Sequence, residues 1–161
     1  MQRHLYIIPG LGDTPHESSY EGIASKAQNL GYTIHPIEID WSKPLSLQKF
    51  SVEQNATIFG FSLGALLAHL IAQESPVEHI ILASMTPFYS FTDPEIKQAL
   101  VELLGKDFVE DLEQNLQGTN QAKKITTMYG DQEEEDADVL VPDTEHELTD
   151  NYIESIVKLL S

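Results

Sequence analysis

The stretch from Ala56 to Glu74 constrains this chain more than any other. An apolar, β-rich run, Ala56-Thr57-Ile58-Phe59, passes through Gly60-Phe61-Ser62-Leu63-Gly64 straight into an apolar helical segment, Leu63 to Glu74. A strand that becomes a helix within so few residues is a βα unit, and its helix is buried only by folding back over a sheet. The same alternation runs from end to end. Strand-like runs are Leu5 to Ile8, Thr33 to Trp41, Ala56 to Phe61, His79 to Met85, Lys124 to Tyr129 and a short one at Asp138 to Val141. Between and after them, Tyr20 to Leu30, Leu63 to Glu74, Asp93 to Leu116 with a break near Gly105, and Thr149 to Leu160 read as helices. This order predicts an α/β three-layer sandwich, a mostly parallel sheet flanked by helices.

Local punctuation supports the boundaries. Gly31 follows the first helix as a C-cap residue does, Asp93 precedes Pro94 at a helix start, and Thr149 precedes an acidic first turn. One junction is tight for a parallel sheet, whose crossovers usually take a dozen or more residues. Only Asp131 to Ala137 separate Gly130 from the Asp138 strand. Either an extended loop carries the chain back along the sheet, or that strand is peripheral and not parallel.

With 161 residues, 41% of them hydrophobic, the chain is the size of one domain, and such a domain buries roughly 70% of its unfolded surface. No repeat, linker or shift in composition divides it, so residues 1–161 are expected to form a single domain. Nine Lys and Arg against 26 Asp and Glu leave a net charge of −17 at pH 7. A field of that sign repels phosphate backbones and anionic lipid heads, which excludes nucleic acid as an expected partner. The absence of Cys removes disulfides, thiolate metal sites and cysteine nucleophiles together. No apolar run approaches the roughly 20 residues of a membrane span, and the start of the chain lacks a signal-peptide core, so a cytoplasmic location is expected. The acidic run Glu133 to Asp138 has no Gly of a calcium loop, so neither a metal nor a cofactor is expected.

The Gly-Phe-Ser-Leu-Gly turn is where chemistry would sit. A sharp strand-to-helix turn lifts a Ser hydroxyl above the sheet, and the glycines make room for neighbouring backbone. The helix amino terminus beneath it offers N–H groups and a positive dipole end to a developing oxyanion. The bland alternative is that the glycines only let a buried helix approach a strand. A nucleophilic Ser62 needs a base, and sites in open α/β sheets lie at the carboxyl ends of the strands. His4 and His79 begin strands, His35 lies within one and His69 is two helical turns beyond Ser62. His16 and His146 remain, both in loops after strands, and His146, just before the last helix, is preferred.

A first strand ending in a Gly turn, an elbow Ser, an acid after a late strand and a His before the last helix together resemble the α/β-hydrolase superfamily over nearly the whole chain. The resemblance implies a reduced form of that fold, with Ser62 as nucleophile, His146 as general base and the Leu63 N–H as one oxyanion donor. It takes the second donor from the loop Pro9-Gly10-Leu11-Gly12, which makes it Leu11. It places the acid three residues after Gly130, at Glu133, with Asp131, Glu134 and Asp93 as alternatives. Substrate contacts are expected from Gly10, Gly12, Phe61 and Phe88, with Tyr89 and Phe91 beside the last. Ser84-Met85-Thr86-Pro87-Phe88 also resembles small members of the superfamily, and residues 88–121 fall where a lid or cap is often inserted. Pro9 stands where the usual signature begins with His, and the helix between the last two strands is missing.

The expected activity is therefore cleavage of an ester or thioester of a small or acyl-chain substrate through a Ser-His-acid triad. The rival expectation is a non-catalytic ligand-binding protein on the same fold. No residue pattern in the sequence fixes an oligomeric state.

Overall fold

A computed structural model describes residues 2–85, 92–116 and 118–161. Six strands, β1 (Arg3–Ile8), β2 (Tyr32–Pro36), β3 (Ala56–Phe61), β4 (His79–Ala83), β5 (Lys124–Gly130) and β6 (Val139–Val141), form one sheet in the order β2-β1-β3-β4-β5-β6. Every pairing is parallel. The helices are α1 (Ser18–Asn29), α2 (Gly64–Glu74), α3 (Pro94–Leu104), α4 (Lys106–Asn115) and α5 (Asp150–Leu160).

Alternation along the strands sorts the core into two layers. Leu5 and Ile7 of β1, Phe59 and Phe61 of β3, and Ile81 and Ala83 of β4 face α1 and α5, where Tyr20, Ile23, Tyr152 and Ile156 are buried. Tyr6, Ile8, Ile58, Ile80 and Leu82 face the other way, against α2 and the buried Phe108 and Leu112 of α4. Since α2 packs on β1, β3 and β4 and shares a core with Leu45 and with Phe108 and Leu112 of α4, its Leu66, Leu67, Ala68, Leu70 and Ile71 are all buried, in keeping with a helix apolar nearly all round. Within the stretch 88–121, α4 thus closes the core, tied by its Asp111 to the backbone N–H and hydroxyl of Ser46. Residues 88–91 lie outside the described residues.

Two expectations about the strands are refined. The second strand is shorter than Thr33 to Trp41: Ile37 donates its N–H to Ile7 O at 3.0 Å, and β1 then turns away at Pro9, leaving an edge strand with nothing to pair with. At the Gly130–Asp138 junction a loop without an α-helix carries the chain back, and the strand it reaches is peripheral yet parallel. A short 3-10 turn, Asp131–Glu133, and left-handed Glu134 lead the chain back, and β6 pairs parallel to β5 at the sheet edge. Asp138 fastens the return by accepting from Thr127 N at 2.9 Å and donating its own N–H to Thr127 Oγ1 at 3.1 Å.

His79 begins β4 at the edge away from the strand carboxyl ends, with Nε2 2.8 Å from Thr126 Oγ1. Burial, assisted by Lys124, lowers its pKa from 6.5 to about 4. Between those values the unfolded chain binds the extra proton and the folded chain does not. This contribution to stability is complete above about pH 6.5 and is lost as pH falls through about 4, by up to about 3 kcal/mol. The difference in unfolding free energy between the wild type and His79→Gln, followed by denaturant titration across that window, should fall by that order, and a flat difference would contradict the burial argument.

Candidate active site

The strand order reverses beside β1: the chain leaves it toward β2 on one side and returns as β3 on the other. Helices α1 and α2 then lie on opposite faces, which makes the carboxyl ends of β1 and β3 the topological switch point where open α/β sheets bind ligands. Two glycines of the turn from β3 into α2 permit close backbone packing there. A Cβ at Gly60 would come within 2.6 Å of Ala65 Cα, and one at Gly64 would run into Pro9 O and lie 2.7 Å from Ile8 O. Gly60 lets α2 start against its own strand, and Gly64 lets it start against the end of β1. Gly64→Ala should therefore lower stability by about 3 kcal/mol, visible as a lower thermal midpoint, whereas Gly12→Ala, in open space, should suffer only from its φ of +77°.

Between these glycines Ser62 has φ +56°, a left-handed backbone held by its N–H bond to Ala83 O at 2.8 Å. For a residue with a Cβ that conformation costs about 1–2 kcal/mol. Ser62 sits where the resulting turn brings its hydroxyl to the sheet edge. His146 Nε2 lies 2.9 Å from Ser62 Oγ, and His146 Nδ1 lies 2.7 Å from Glu133 Oε1. An ionised carboxylate only accepts hydrogen bonds, so Nδ1 carries the imidazole proton and Nε2 turns its lone pair to the Ser62 hydroxyl.

The loop that carries His146 is pinned at several points. A Cβ at Gly130 would strike the Thr144 carbonyl, so the loop lies directly on the end of β5. Asp131 accepts N–H bonds from Asp143 and Thr144, both 3.2 Å, and Gln132 N–H donates to Thr144 O at 3.0 Å. Beneath the imidazole the Phe61 ring packs at 5.3 Å between centroids and meets Tyr152 edge-on at 5.9 Å. Phe61 is buried, so it supports His146 from below.

The loop after β1 faces Ser62. A Cβ on Gly10 would lie 3.3 Å from Ser62 Cβ. Tyr20, buried in α1, shapes this loop: Gly10 N–H donates to its hydroxyl at 3.0 Å, and the hydroxyl donates to Asp13 Oδ2 at 2.7 Å. Asp13 N–H closes the turn on Gly10 O at 3.0 Å. Among the described residues no hydrogen bond engages the backbone N–H of Leu11 or Leu63.

The other candidates are occupied elsewhere. His16 is exposed, with Nε2 3.5 Å from Glu38. Asp93 caps α3, accepting from Glu95 N at 2.9 Å and Ile96 N at 3.3 Å. Glu134 is an exposed left-handed residue. Phe88, Tyr89 and Phe91 lie outside the described residues. Sequence reasoning passed over Tyr20 and Tyr152, because a core aromatic at helical spacing carries no sign of what its hydroxyl touches, and with Tyr20 its loop partner Asp13.

No protein-family model and no curated protein matches this sequence. Solved structures do. The chain is similar to Est1E from Butyrivibrio proteoclasticus at 15% identity, covering 99% of this chain and 85% of that one with a TM-score of 0.61. It is similar to α/β-hydrolase domain-containing protein 10 from mouse at 14% identity, covering 98% and 87% with a TM-score of 0.65. A dienelactone hydrolase from Anabaena variabilis matches at 14% identity, over 98% and 83%, with a TM-score of 0.55. With six parallel strands in this order, helices on both faces and a serine on the turn between β3 and α2, the chain has the α/β-hydrolase fold in a reduced form.

Proposed function

We propose that this chain is a serine hydrolase that cleaves a carboxylic ester or thioester through an acyl-enzyme. The observation that carries this reading is the unbroken hydrogen-bonded series from Ser62 Oγ through His146 to Glu133 at a strand carboxyl edge. In the proposed cycle, Ser62 Oγ bonds to the substrate carbonyl carbon while His146 Nε2 takes the hydroxyl proton. The carbonyl oxygen becomes an oxyanion that accepts from the N–H groups of Leu63 and Leu11, at the positive end of α2. Collapse breaks the bond to the leaving alcohol or thiol, which receives the proton from His146. Water then adds to the acyl-enzyme with His146 again as base, releasing the acid and restoring Ser62.

Glu133 acts by charge and by direction, holding the imidazole in the tautomer that accepts from Ser62 and stabilising the imidazolium. The fold neighbours include an esterase also solved with ferulic acid bound and a dienelactone hydrolase, which agrees with a small carboxylic ester as substrate. Charge narrows the class. Asp131, Glu134, Asp143, Glu145 and Glu147 are all exposed around His146, whereas Arg3, Lys123 and Lys124 lie at or next to the opposite ends of the strands. Such a field disfavours anionic acyl carriers and favours neutral or cationic substrates.

The test is a panel of p-nitrophenyl esters and acyl thioesters, graded by chain length and charge, run beside a fluorophosphonate probe. Turnover of a neutral ester together with covalent labelling supports the reading. A protein that binds such molecules but neither turns them over nor reacts with the probe is a binding protein on this fold.

A further inference from the structure

Behind Glu133 the hydrogen-bonded series continues inward. Glu133 Oε2, the oxygen not used by His146, accepts from Gly130 N–H at 2.7 Å and from the Ser84 hydroxyl at 2.6 Å. Ser84 follows β4 and is fully buried, with φ +52°. Its N–H donates to Met128 O at 2.7 Å, which ties this left-handed residue to β5. The Tyr152 hydroxyl from α5 lies 2.9 Å from Ser84 Oγ and 3.2 Å from Met128 O.

Counting protons orders this chain. Ser84 has one hydroxyl proton, and Glu133 can only accept, so that proton points at Glu133. Ser84 Oγ is then an acceptor, and the donor facing it is Tyr152, whose one hydroxyl proton is shared between Ser84 Oγ at 2.9 Å and Met128 O at 3.2 Å. Burial holds the Tyr152 phenol protonated, far above its ordinary range, so it remains a donor at any working pH. The backbone offers a further clue: a left-handed, fully buried Ser is a position glycine would fill more cheaply. The hydroxyl is the one thing glycine would not supply.

We propose that Ser84 is a positioning residue for the site, acting through Glu133: relayed from Tyr152, its hydroxyl fixes the carboxylate so that Oε1 meets His146 Nδ1. This rests on the reading of Ser62, His146 and Glu133 as a catalytic triad. With the Ser84 bond lost, Glu133 is held by Gly130 N–H alone on that oxygen and turns about its last torsion, and His146 loses its fixed tautomer.

The deciding variant is Ser84→Gly, which removes the hydroxyl while relieving the backbone. On the best ester of the panel, kcat should fall about 10- to 100-fold, the effect of losing one hydrogen bond to a charged group, with KM changed less than about threefold. The thermal midpoint should hold or rise. Tyr152→Phe should give a smaller fall in the same direction. In a Glu133→Gln background Ser84→Gly should have almost no further effect, because the group it acts through is gone. Additive losses, or a fall in stability that matches the fall in rate, would overturn the proposal and leave the triad reading intact.

A second readout does not depend on turnover. Nitrogen NMR of the His146 ring should find the Nδ1–H tautomer in the wild type and a mixture in Ser84→Gly. An unchanged tautomer in that variant overturns the proposal whatever the enzyme assays show. Loss of the triad reading itself would appear separately, as full ester turnover by Ser62→Ala.

Discussion

Ser62→Ala should abolish labelling by a fluorophosphonate and lower ester turnover at least about ten-thousand-fold, with the fold retained. Nothing that holds the turn together depends on the hydroxyl. The Ser62 N–H bond to Ala83 O and the Ala65 N–H bond to Ser62 O are backbone contacts that alanine keeps. Alanine also accepts φ +56° at about the same cost as serine, so the thermal midpoint should stay within a few degrees. Ser62→Gly is the informative companion. It should be equally inactive yet more stable, because glycine adopts the left-handed region without the Cβ penalty. If Ser62→Ala turns over esters like the wild type, the hydrogen-bonded series at the sheet edge is not a triad.

Glu133→Gln should be nearly as damaging, with a loss of about ten-thousand-fold in kcat, although the change is isosteric. The reason lies in who donates to whom. Three donors converge on this carboxylate: Ser84 O–H and Gly130 N–H on Oε2, and His146 Nδ1–H on Oε1. A glutamine has a single oxygen. If that oxygen serves Ser84 and Gly130, the amide NH2 faces Nδ1, which must then give up its proton to accept. The imidazole proton moves to Nε2, which can no longer take one from Ser62. If the amide flips, its NH2 meets two donors instead. The first arrangement satisfies every partner with the wrong tautomer, and the flipped one leaves the Gly130 N–H without its acceptor in a site where the Glu133 side chain is only 10% exposed.

Parallel neutralisations separate the other acids. Glu134→Gln and Asp93→Asn should be close to silent, since the first is exposed and the second caps α3. Asp131→Asn should be intermediate, because both carboxylate oxygens hold the loop that carries His146. A dead Asp93→Asn beside an active Glu133→Gln would move the acid to another strand end.

Local chemistry determined a great deal of this molecule. Strand and helix positions could be read because side-chain periodicity, a Pro after Asp93, a Gly after Leu30 and a Thr before Asp150 act within a few residues. The Gly60 position before Ser62 is local in the same sense, since it answers to the Gly64 and Ala65 backbone of the turn itself, whereas Gly64 answers to Ile8 and Pro9 at the end of β1. Strand polarity, which the β-α alternation supplies, narrowed the six histidines to His16 and His146.

What remained belongs to contacts between distant segments. The extent of β2 depended on where β1 stops offering partners, and the placement of β6 on an Asp138–Thr127 clasp that no periodicity encodes. Asp131, Glu133 and Glu134 are nearly indistinguishable as letters in an acidic run. A single 3-10 turn gives each a different fate: one ties down the next loop, one turns inward to His146, and one points to solvent. Ser84 and Tyr152 stand 68 positions apart and meet behind Glu133 because β4 and α5 pack there. A hydroxyl's partner is decided by where the rest of the chain puts its neighbours, and only the tertiary structure contains that information.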